Sequence, residues 1–154
     1  MKLGYNPRKH TIFAPINKEK YIDKNPIVCR SSWERKFCEW CDRNVSVVKW
    51  ASEAISIEYY DPVKRKKRRY FPDFLLLIRD KDGKETSHLI EIKPHREVVL
   101  PVKSKNKSEK TLMTEIATHI TNTSKWKAAA LHCKKHNINF RILTEKDLFI
   151  KDAT

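Results

Sequence analysis

Two apolar segments of this chain contain ionisable residues at positions that would otherwise face a core. Asp73 is the second residue of the run PDFLLLI, and Glu91 and Lys93 flank Ile92 in the run HLIEIK. A buried carboxylate is unfavourable unless it is paired, hydrogen-bonded or bound to a metal. The pattern therefore indicates either a functional site or a salt bridge that closes the end of a sheet.

The turn between the two segments decides whether the carboxylates meet. A two-residue turn at Asp82-Gly83 would pair residue 73 with residue 92, whereas a three-residue turn over 81–83 pairs residue 73 with residue 91. Glycine at the third position favours the longer turn, because Gly83 can adopt the left-handed conformation needed there. We therefore predict that Asp73 lies opposite Glu91, with Lys93 on the same face.

Two carboxylates in this register would repel each other, and one pKa would rise unless a cation lay between them. Oxygen ligands favour Mg²⁺ or Mn²⁺, with waters completing the octahedron. Such a metal would activate water for attack on a phosphorus, and the Lys93 ammonium would help to orient that water. Spacing alone leaves a salt bridge from Lys93 to Asp73 or Glu91 as an open alternative.

The net charge of +14 favours a polyanionic partner. Six consecutive basic residues follow a turn at Asp61-Pro62, and the run reads as a hairpin that grips phosphates, a solvated hairpin tip or a nuclear-localisation signal. We favour phosphate binding, and we add the lysine before Trp126 as a possible backbone contact. The predicted DNA-binding residues are Lys64, Arg65, Lys66, Lys67, Arg68, Arg69 and Lys125.

The elements that must position these residues alternate between helical and strand-like patterns. Residues 1–28, with three prolines, are predicted to form an irregular arm, and residues 29–154 a single domain. A helix is expected in RSSWERKFCEWCDRN, strands in SVVKW, AISIEYY, 74–79 and 87–93, two further helices after residue 110, and a last strand in INFRIL. This order predicts a mixed α/β fold.

The chain shows no apolar run of transmembrane length and no signal-peptide pattern at its start, so we expect no membrane attachment and no secretion. Its four cysteines are then expected to be thiols in a reducing compartment. Cys38 and Cys41, together with Cys133 and His136, have the spacing of two halves of a zinc site. Because each pair lies beside an apolar helix face, we favour core packing over zinc.

The segment PDF…EIK resembles the PD-(D/E)XK nuclease signature. The stretches IVCRSSWERKFCEWCDRN, VKWASEAISIEYYDP, RRYFPDF, EIKP, KWKAAALHC and FRILTE are similar to the head-completion nucleases of tailed phages. They also resemble the N-terminal nuclease domain of Tn7-type transposon endonucleases. This resemblance implies a restriction-endonuclease-like core with a mixed central sheet flanked by helices, a divalent metal and hydrolysis of DNA phosphodiester bonds.

The resemblance also implies roles for individual residues. Asp73, Glu91 and the backbone carbonyl of Ile92 would hold Mg²⁺ or Mn²⁺, Lys93 would act on the water, and Glu34 would be an upstream acidic member of the site. From the residues alone, a capping box with Ser31 is the favoured role of Glu34, whereas the resemblance favours contact with the metal, directly or through water.

The implied setting is phage head completion and head-tail joining, with phage head or neck proteins as partners, in the host-cell cytoplasm or the virion. Two rival functions stay open. One is a non-catalytic plug protein that binds DNA ends, and the other is a transposon-end endonuclease subunit.

Overall fold

The structure is a computed structural model that describes residues 10–148. Its strands are β1 (Thr11–Phe13), β2 (Ile27–Cys29), β3 (Val47–Ser52), β4 (Ile57–Asp61), β5 (Lys66–Tyr70), β6 (Phe74–Arg79), β7 (Glu85–Ile92) and β8 (Ile138–Leu143). Its helices are α1 (Ser32–Arg43), α2 (His95–Val98), α3 (Glu109–Lys135) and α4 (Glu145–Leu148), with one 3-10 turn at Lys18–Lys20.

The central sheet has the strand order β3-β6-β7-β8. β3, β6 and β7 pair antiparallel, whereas β7 and β8 pair parallel across the connection through α2 and α3. Strands β4 and β5 form a separate antiparallel hairpin. This arrangement confirms the predicted mixed sheet flanked by helices.

The register between β6 and β7 agrees with the three-residue turn. Phe74 pairs with Ile90 and Arg79 with Glu85, which places residue 73 opposite residue 91. The Asp80 N–H donates to the Lys84 carbonyl at 2.9 Å, and Gly83 has a φ of +82°. Glycine therefore occupies the left-handed position of the turn, and the predicted register is confirmed.

One face of the sheet packs against α1. The Ser31 hydroxyl accepts a hydrogen bond from the Glu34 N–H and caps the start of this helix. The helix then buries Trp33, Phe37 and its two cysteines against β3, β6 and β7. Apolar residues at helical spacing thus form one face, as predicted.

The described part of the N-terminal arm, residues 10–28, is less irregular than predicted. β1 pairs with β2, and the buried Asp42 of α1 accepts hydrogen bonds from the backbone N–H groups of Ile16 and Asn17, both at 2.9 Å. The Lys20 ammonium donates to carbonyls at the end of α1, including those of Cys41 and Asn44. Helix-end groups therefore order the arm, a long-range effect that local patterns do not show.

The opposite face of the sheet packs against α3 and the β4–β5 hairpin. The prediction of two helices after residue 110 is wrong, because α3 runs without a break from Glu109 to Lys135. No proline or glycine interrupts this segment. In its polar middle, Thr123 and Ser124 donate to carbonyls of the preceding turn, so hydroxyl groups there are compatible with helix.

The four cysteines are free and buried. Cys38 and Cys41 belong to the core cluster beside α1, whereas Cys133 belongs to the cluster on the other side of the sheet. The two halves of the zinc pattern are thus separated by the sheet, and packing accounts for the cysteines. Among residues 10–148, every helix falls short of the length or the apolar character that a membrane crossing requires.

Candidate active site

Asp73, Glu91 and Lys93 meet on the face of the sheet that carries α3. Alternation along β6 and β7 directs Phe74 and Ile90 to the α1 side, and their neighbours to the other side. Asp73 Oδ2 accepts a hydrogen bond of 2.7 Å from the Ile92 N–H, and Lys93 Nζ lies 3.8 Å from Glu91 Oε1. The structure therefore brings the three predicted residues together.

The electrostatics of this cluster are dominated by its carboxylates. Burial, followed by the charges of Glu91 and Glu34, raises the pKa of Asp73 well above its ordinary value. Burial also raises the pKa of Glu91, although Lys93 and the Tyr70 hydroxyl oppose that shift. Crowded carboxylates with raised pKa values form an environment that a cation would stabilise.

Tyr70 is a residue of this site that the sequence analysis missed. Its buried hydroxyl donates a hydrogen bond of 2.6 Å to Glu91 Oε2. The signal was present in the alternation of β5, which puts Tyr70 on the same inward face as Arg68. It was concealed because the basic run before Tyr70 was interpreted as a hairpin that grips phosphates with its whole length.

Glu34 has features of both predicted roles. Its carboxylate accepts a hydrogen bond of 2.9 Å from the Arg30 N–H, one residue before the capping-box partner Ser31. Burial first, and then the charges of Glu53 and Glu91, raise its pKa. Glu34 therefore helps to cap α1 while lying within electrostatic reach of the Asp73–Glu91 pair.

Glu53 is a second residue that the sequence analysis did not single out. It follows β3 with a φ of +49°, and its N–H donates to the Asp73 carbonyl at 2.9 Å. Its carboxylate pairs with Arg30 at 3.2 Å. These contacts fix the backbone on both sides of the cluster, and no sequence pattern pointed to them.

Lys125 reaches the cluster from α3. Its Nζ lies 5.9 Å from the ring centroid of Tyr59 and 5.7 Å from that of Tyr70. Burial, followed by the positive charge of Lys93, lowers the pKa of Lys125. The structure thus places Lys125 beside the candidate site, and its contact with DNA stays a prediction.

The basic run divides into two groups. Arg68 points inward and pairs at 3.2 Å with Asp61, which is fully buried. Asp61 also accepts hydrogen bonds from Val63, Lys64 and Thr121, so it joins the hairpin to α3. Arg68 therefore has a structural role, because a buried carboxylate needs a partner, and its contact with phosphate stays a prediction.

The other members of the run lie at the surface. Lys64 and Arg65 form the turn, with Arg65 at a φ of +53°. Lys67 pairs with Glu58 at 3.4 Å on the outer face of the hairpin. Exposed cations on one projecting hairpin remain available for a polyanion.

The oxygen atoms of this cluster can supply part of the coordination shell of a hard divalent cation. Asp73, Glu91 and Glu34 each have one carboxylate oxygen in a hydrogen bond, to Ile92, Tyr70 and Arg30 respectively. Within the described ranges, no three His, Cys, Asp or Glu side chains form a ready metal shell. Two carboxylates with a main-chain carbonyl fit Mg²⁺, because Mg²⁺ retains several waters when it binds to proteins.

Sequence comparison identifies the family of this protein, and that family agrees with the fold described above. Residues 44–145 match the family described as TnsA-like endonuclease N terminal, so the chain belongs to that family and has a restriction-endonuclease-like fold. Over 140 residues, the chain is 43% identical to the head completion nuclease of Enterobacteria phage T4. The matched region covers 88% of this chain and 91% of that protein. The resemblance to head-completion nucleases and to the N-terminal domain of Tn7-type endonucleases is thus confirmed. No solved structure gives a significant match.

Proposed function

We propose that this protein is a metal-dependent DNA nuclease that hydrolyses phosphodiester bonds during phage head completion and head-tail joining. The observation that carries the proposal is the meeting of Asp73, Glu91 and Lys93 on one face of the sheet. The family match and the name of the phage T4 relative support the same activity and setting. Phage head or neck proteins are the proposed partners, in the host cytoplasm or the virion.

Asp73, Glu91 and the Ile92 carbonyl would hold Mg²⁺ or Mn²⁺, and Glu34 would assist through water. The ion would neutralise charge on the phosphate oxygens and increase the acidity of a water. The raised pKa values of both carboxyl groups support this assignment, since burial outweighs the opposing charge of Lys93 at both of them.

The chain's own cations supply the remaining roles. Lys93, beside Glu91, would orient the attacking water and stabilise negative charge that develops on the phosphate. Lys125 extends this positive region along α3. The exposed cations of the hairpin would hold the DNA backbone without reading its bases, which gives binding with little sequence preference.

The experiment compares the purified wild type with Lys93→Ala and Asp73→Asn, using linear and circular DNA with Mg²⁺, Mn²⁺ or EDTA. Both substitutions and chelation are expected to reduce cleavage by about a hundredfold or more, while DNA binding changes little. Cleavage of circular DNA would identify an endonuclease. Lys84→Ala and Asp82→Asn, in the exposed turn of the same hairpin, are the matched controls.

The rival plug function predicts a different pattern. Lys93→Ala and Asp73→Asn would then change stability at most, and heads that carry either variant would still join tails. Wild-type cleavage that is undiminished by EDTA, or full activity in both variants, would contradict the proposed chemistry. The cluster would then be a salt bridge.

A further inference from the structure

A cavity of about 560 Å³ opens beside Lys93. It lies between the segment that follows β7 and the N-terminal half of α3, and its lining includes Val99, Leu100 and Val102 on one side. Pockets of roughly 300–1,000 Å³ hold small organic ligands in proteins. Because Lys93 lines this cavity, the cavity adjoins the candidate active site.

Two polar groups in the cavity wall lack a hydrogen-bond partner within residues 10–148. Asn122 is only 7% exposed, and its amide takes part in none of the hydrogen bonds found in that range. His119 Nδ1 is buried and likewise has no partner there. The Asn122 amide lines the cavity, and since buried polar groups in proteins are almost always hydrogen-bonded, it indicates a ligand with donors and acceptors of its own.

The cavity is preorganised by an ion pair in its wall. Lys107 Nζ donates to Glu115 Oε2 at 2.7 Å and to the Val102 carbonyl at 2.8 Å. The lysine therefore fastens the loop before α3 to the helix, and it neutralises the Glu115 carboxylate. A site that exists before binding avoids the cost of ordering a loop when the ligand arrives.

The lining matches the parts of a nucleotide. Leu100 and Val102 offer an apolar surface to a base or a sugar, and Asn122 offers both donors and an acceptor to a base edge. Lys93 places positive charge next to the candidate active site, where a phosphate would lie, and the exposed Arg96 offsets the carboxylate of Glu97 in the lining. A base stacked within a duplex cannot enter such a cavity, so the base must be unpaired.

We propose that this cavity receives one unpaired nucleotide of the DNA, next to the phosphate that is cleaved. The inference rests on the proposed nuclease function and adds a structural preference to it. The unpaired nucleotide is either the end of a single-stranded overhang or a mismatched base displaced from the duplex. Both sources present the same chemistry to the cavity.

The test measures binding in an Asp73→Asn background, so that cleavage does not consume the DNA. 2-Aminopurine, whose fluorescence rises when it leaves a base stack, is placed in an overhang, in an internal mismatch or in a blunt, fully paired duplex. Fluorescence is expected to rise with the overhang, the mismatch or both, and to stay unchanged with the blunt duplex. The substrate that responds identifies the source of the nucleotide.

Two variants then remove the cavity. Thr118→Trp fills it from α3 and should weaken binding of the responding substrate by about tenfold. Asn122→Leu should weaken it by about threefold through the lost hydrogen bonds. Neither should change affinity for the blunt duplex. Met113→Trp, at a residue that is 69% exposed and lies outside the cavity on the same helix, is the matched control.

The outcomes separate this inference from the proposed function. The cavity proposal would be supported, and the nuclease function contradicted, if both variants weakened binding of the responding substrate while the wild type cleaved no DNA. Cleavage by the wild type with unchanged binding in both variants would overturn the cavity proposal alone and leave a cavity that holds water. Unchanged DNA binding together with failed head-tail joining would also overturn it, in favour of a protein partner.

Discussion

The two faces of the central sheet are built from the same strands but differ in composition. The face toward α1 buries Trp50, Phe74 and Ile90 in an aromatic and aliphatic cluster. The face toward α3 also has an apolar cluster, yet it contains Glu91 beside Leu89. Alternate residues of one strand thus contribute to a core and to a candidate active site.

This difference shows how a small domain accommodates a costly site. Carboxylates that are buried near each other oppose folding, so the stabilisation must come from elsewhere. Close packing on the α1 side supplies it, and the strand register holds the two faces in place. A register shift of one residue would move the side chains of each face to the other side of the sheet, and would disrupt both the core and the candidate site.

The largest effect is expected when the apolar face is broken. The ring of Phe74 lies 4.9 Å from that of Phe37 and 6.3 Å from that of Trp50, measured between centroids. Phe74→Ala would leave a cavity there and lower the free energy of unfolding by about 3–5 kcal/mol, measured by urea denaturation. Leu131→Ala, at an exposed position of α3, is the control. A loss as small as the control's would contradict the role assigned to this face.

The main features of the site could be predicted from the sequence because they depend on local rules. Gly83 fixes the turn length, the turn fixes the register, and the register brings residue 73 opposite residue 91. Each step follows from the conformational freedom of glycine and the alternation of side chains in a strand. Lys93 then follows from its spacing to Glu91 alone.

The partners of these residues could not be predicted in the same way. Tyr70 reaches Glu91, and Arg68 reaches Asp61, because the hairpin folds its inner face onto the domain. A run of six basic residues gives no local sign that one of them faces inward. The continuity of α3 was also missed, because its buried residues all lie between Asn122 and Cys133, so one apolar face does not extend along the whole helix.

The second prediction tests the polar support of the hairpin at Asp61. Burial raises the pKa of this carboxyl group, but hydrogen bonds from Lys64, Arg68 and Val63 outweigh burial and bring the pKa below its ordinary 3.8. A lowered folded-state pKa stabilises the fold above 3.8, and that contribution is lost as the pH falls through the lowered value.

Asp61→Asn should therefore lower the thermal unfolding midpoint at neutral pH, by less than Phe74→Ala does. The gap between wild type and variant should narrow as the pH falls below 3.8. Asp82→Asn, in an exposed turn, is the control for loss of a carboxylate. A gap that is constant with pH would mean that the charge of Asp61 is unimportant.

The third prediction separates the two faces of β5. Replacing the five outward cations with glutamine while keeping Arg68 should weaken DNA binding and preserve the thermal unfolding midpoint. The replaced residues are Lys64, Arg65, Lys66, Lys67 and Arg69. The slope of log affinity against log salt should fall by about 0.9 for each phosphate that the protein no longer neutralises.

Arg68→Gln is the counterpart, and it should lower stability while DNA binding changes little. It leaves the buried Asp61 without its cation, so stability should fall while the salt slope changes by less than the value for one phosphate. Affinity is measured at several salt concentrations, and stability by thermal unfolding. An unaltered salt slope in the five-residue variant would restore the interpretation of the run as a solvated tip.

The smallest effect is expected at Tyr70, whose ring packs in an apolar cluster and whose hydroxyl contacts the candidate site. Tyr70→Phe keeps the buried ring but removes the hydroxyl that donates to Glu91 Oε2 at 2.6 Å. One hydrogen bond to a charged group contributes at least about 1.5 kcal/mol, so the cleavage rate should fall by roughly tenfold or more. DNA affinity should stay unchanged, because the hydrogen bond positions a site carboxylate and holds no phosphate.

Tyr59→Phe, at the other buried tyrosine beneath Lys125, is the matched control and should retain its cleavage rate. Equal loss in both variants would indicate that the hairpin core, rather than the position of Glu91, limits the reaction.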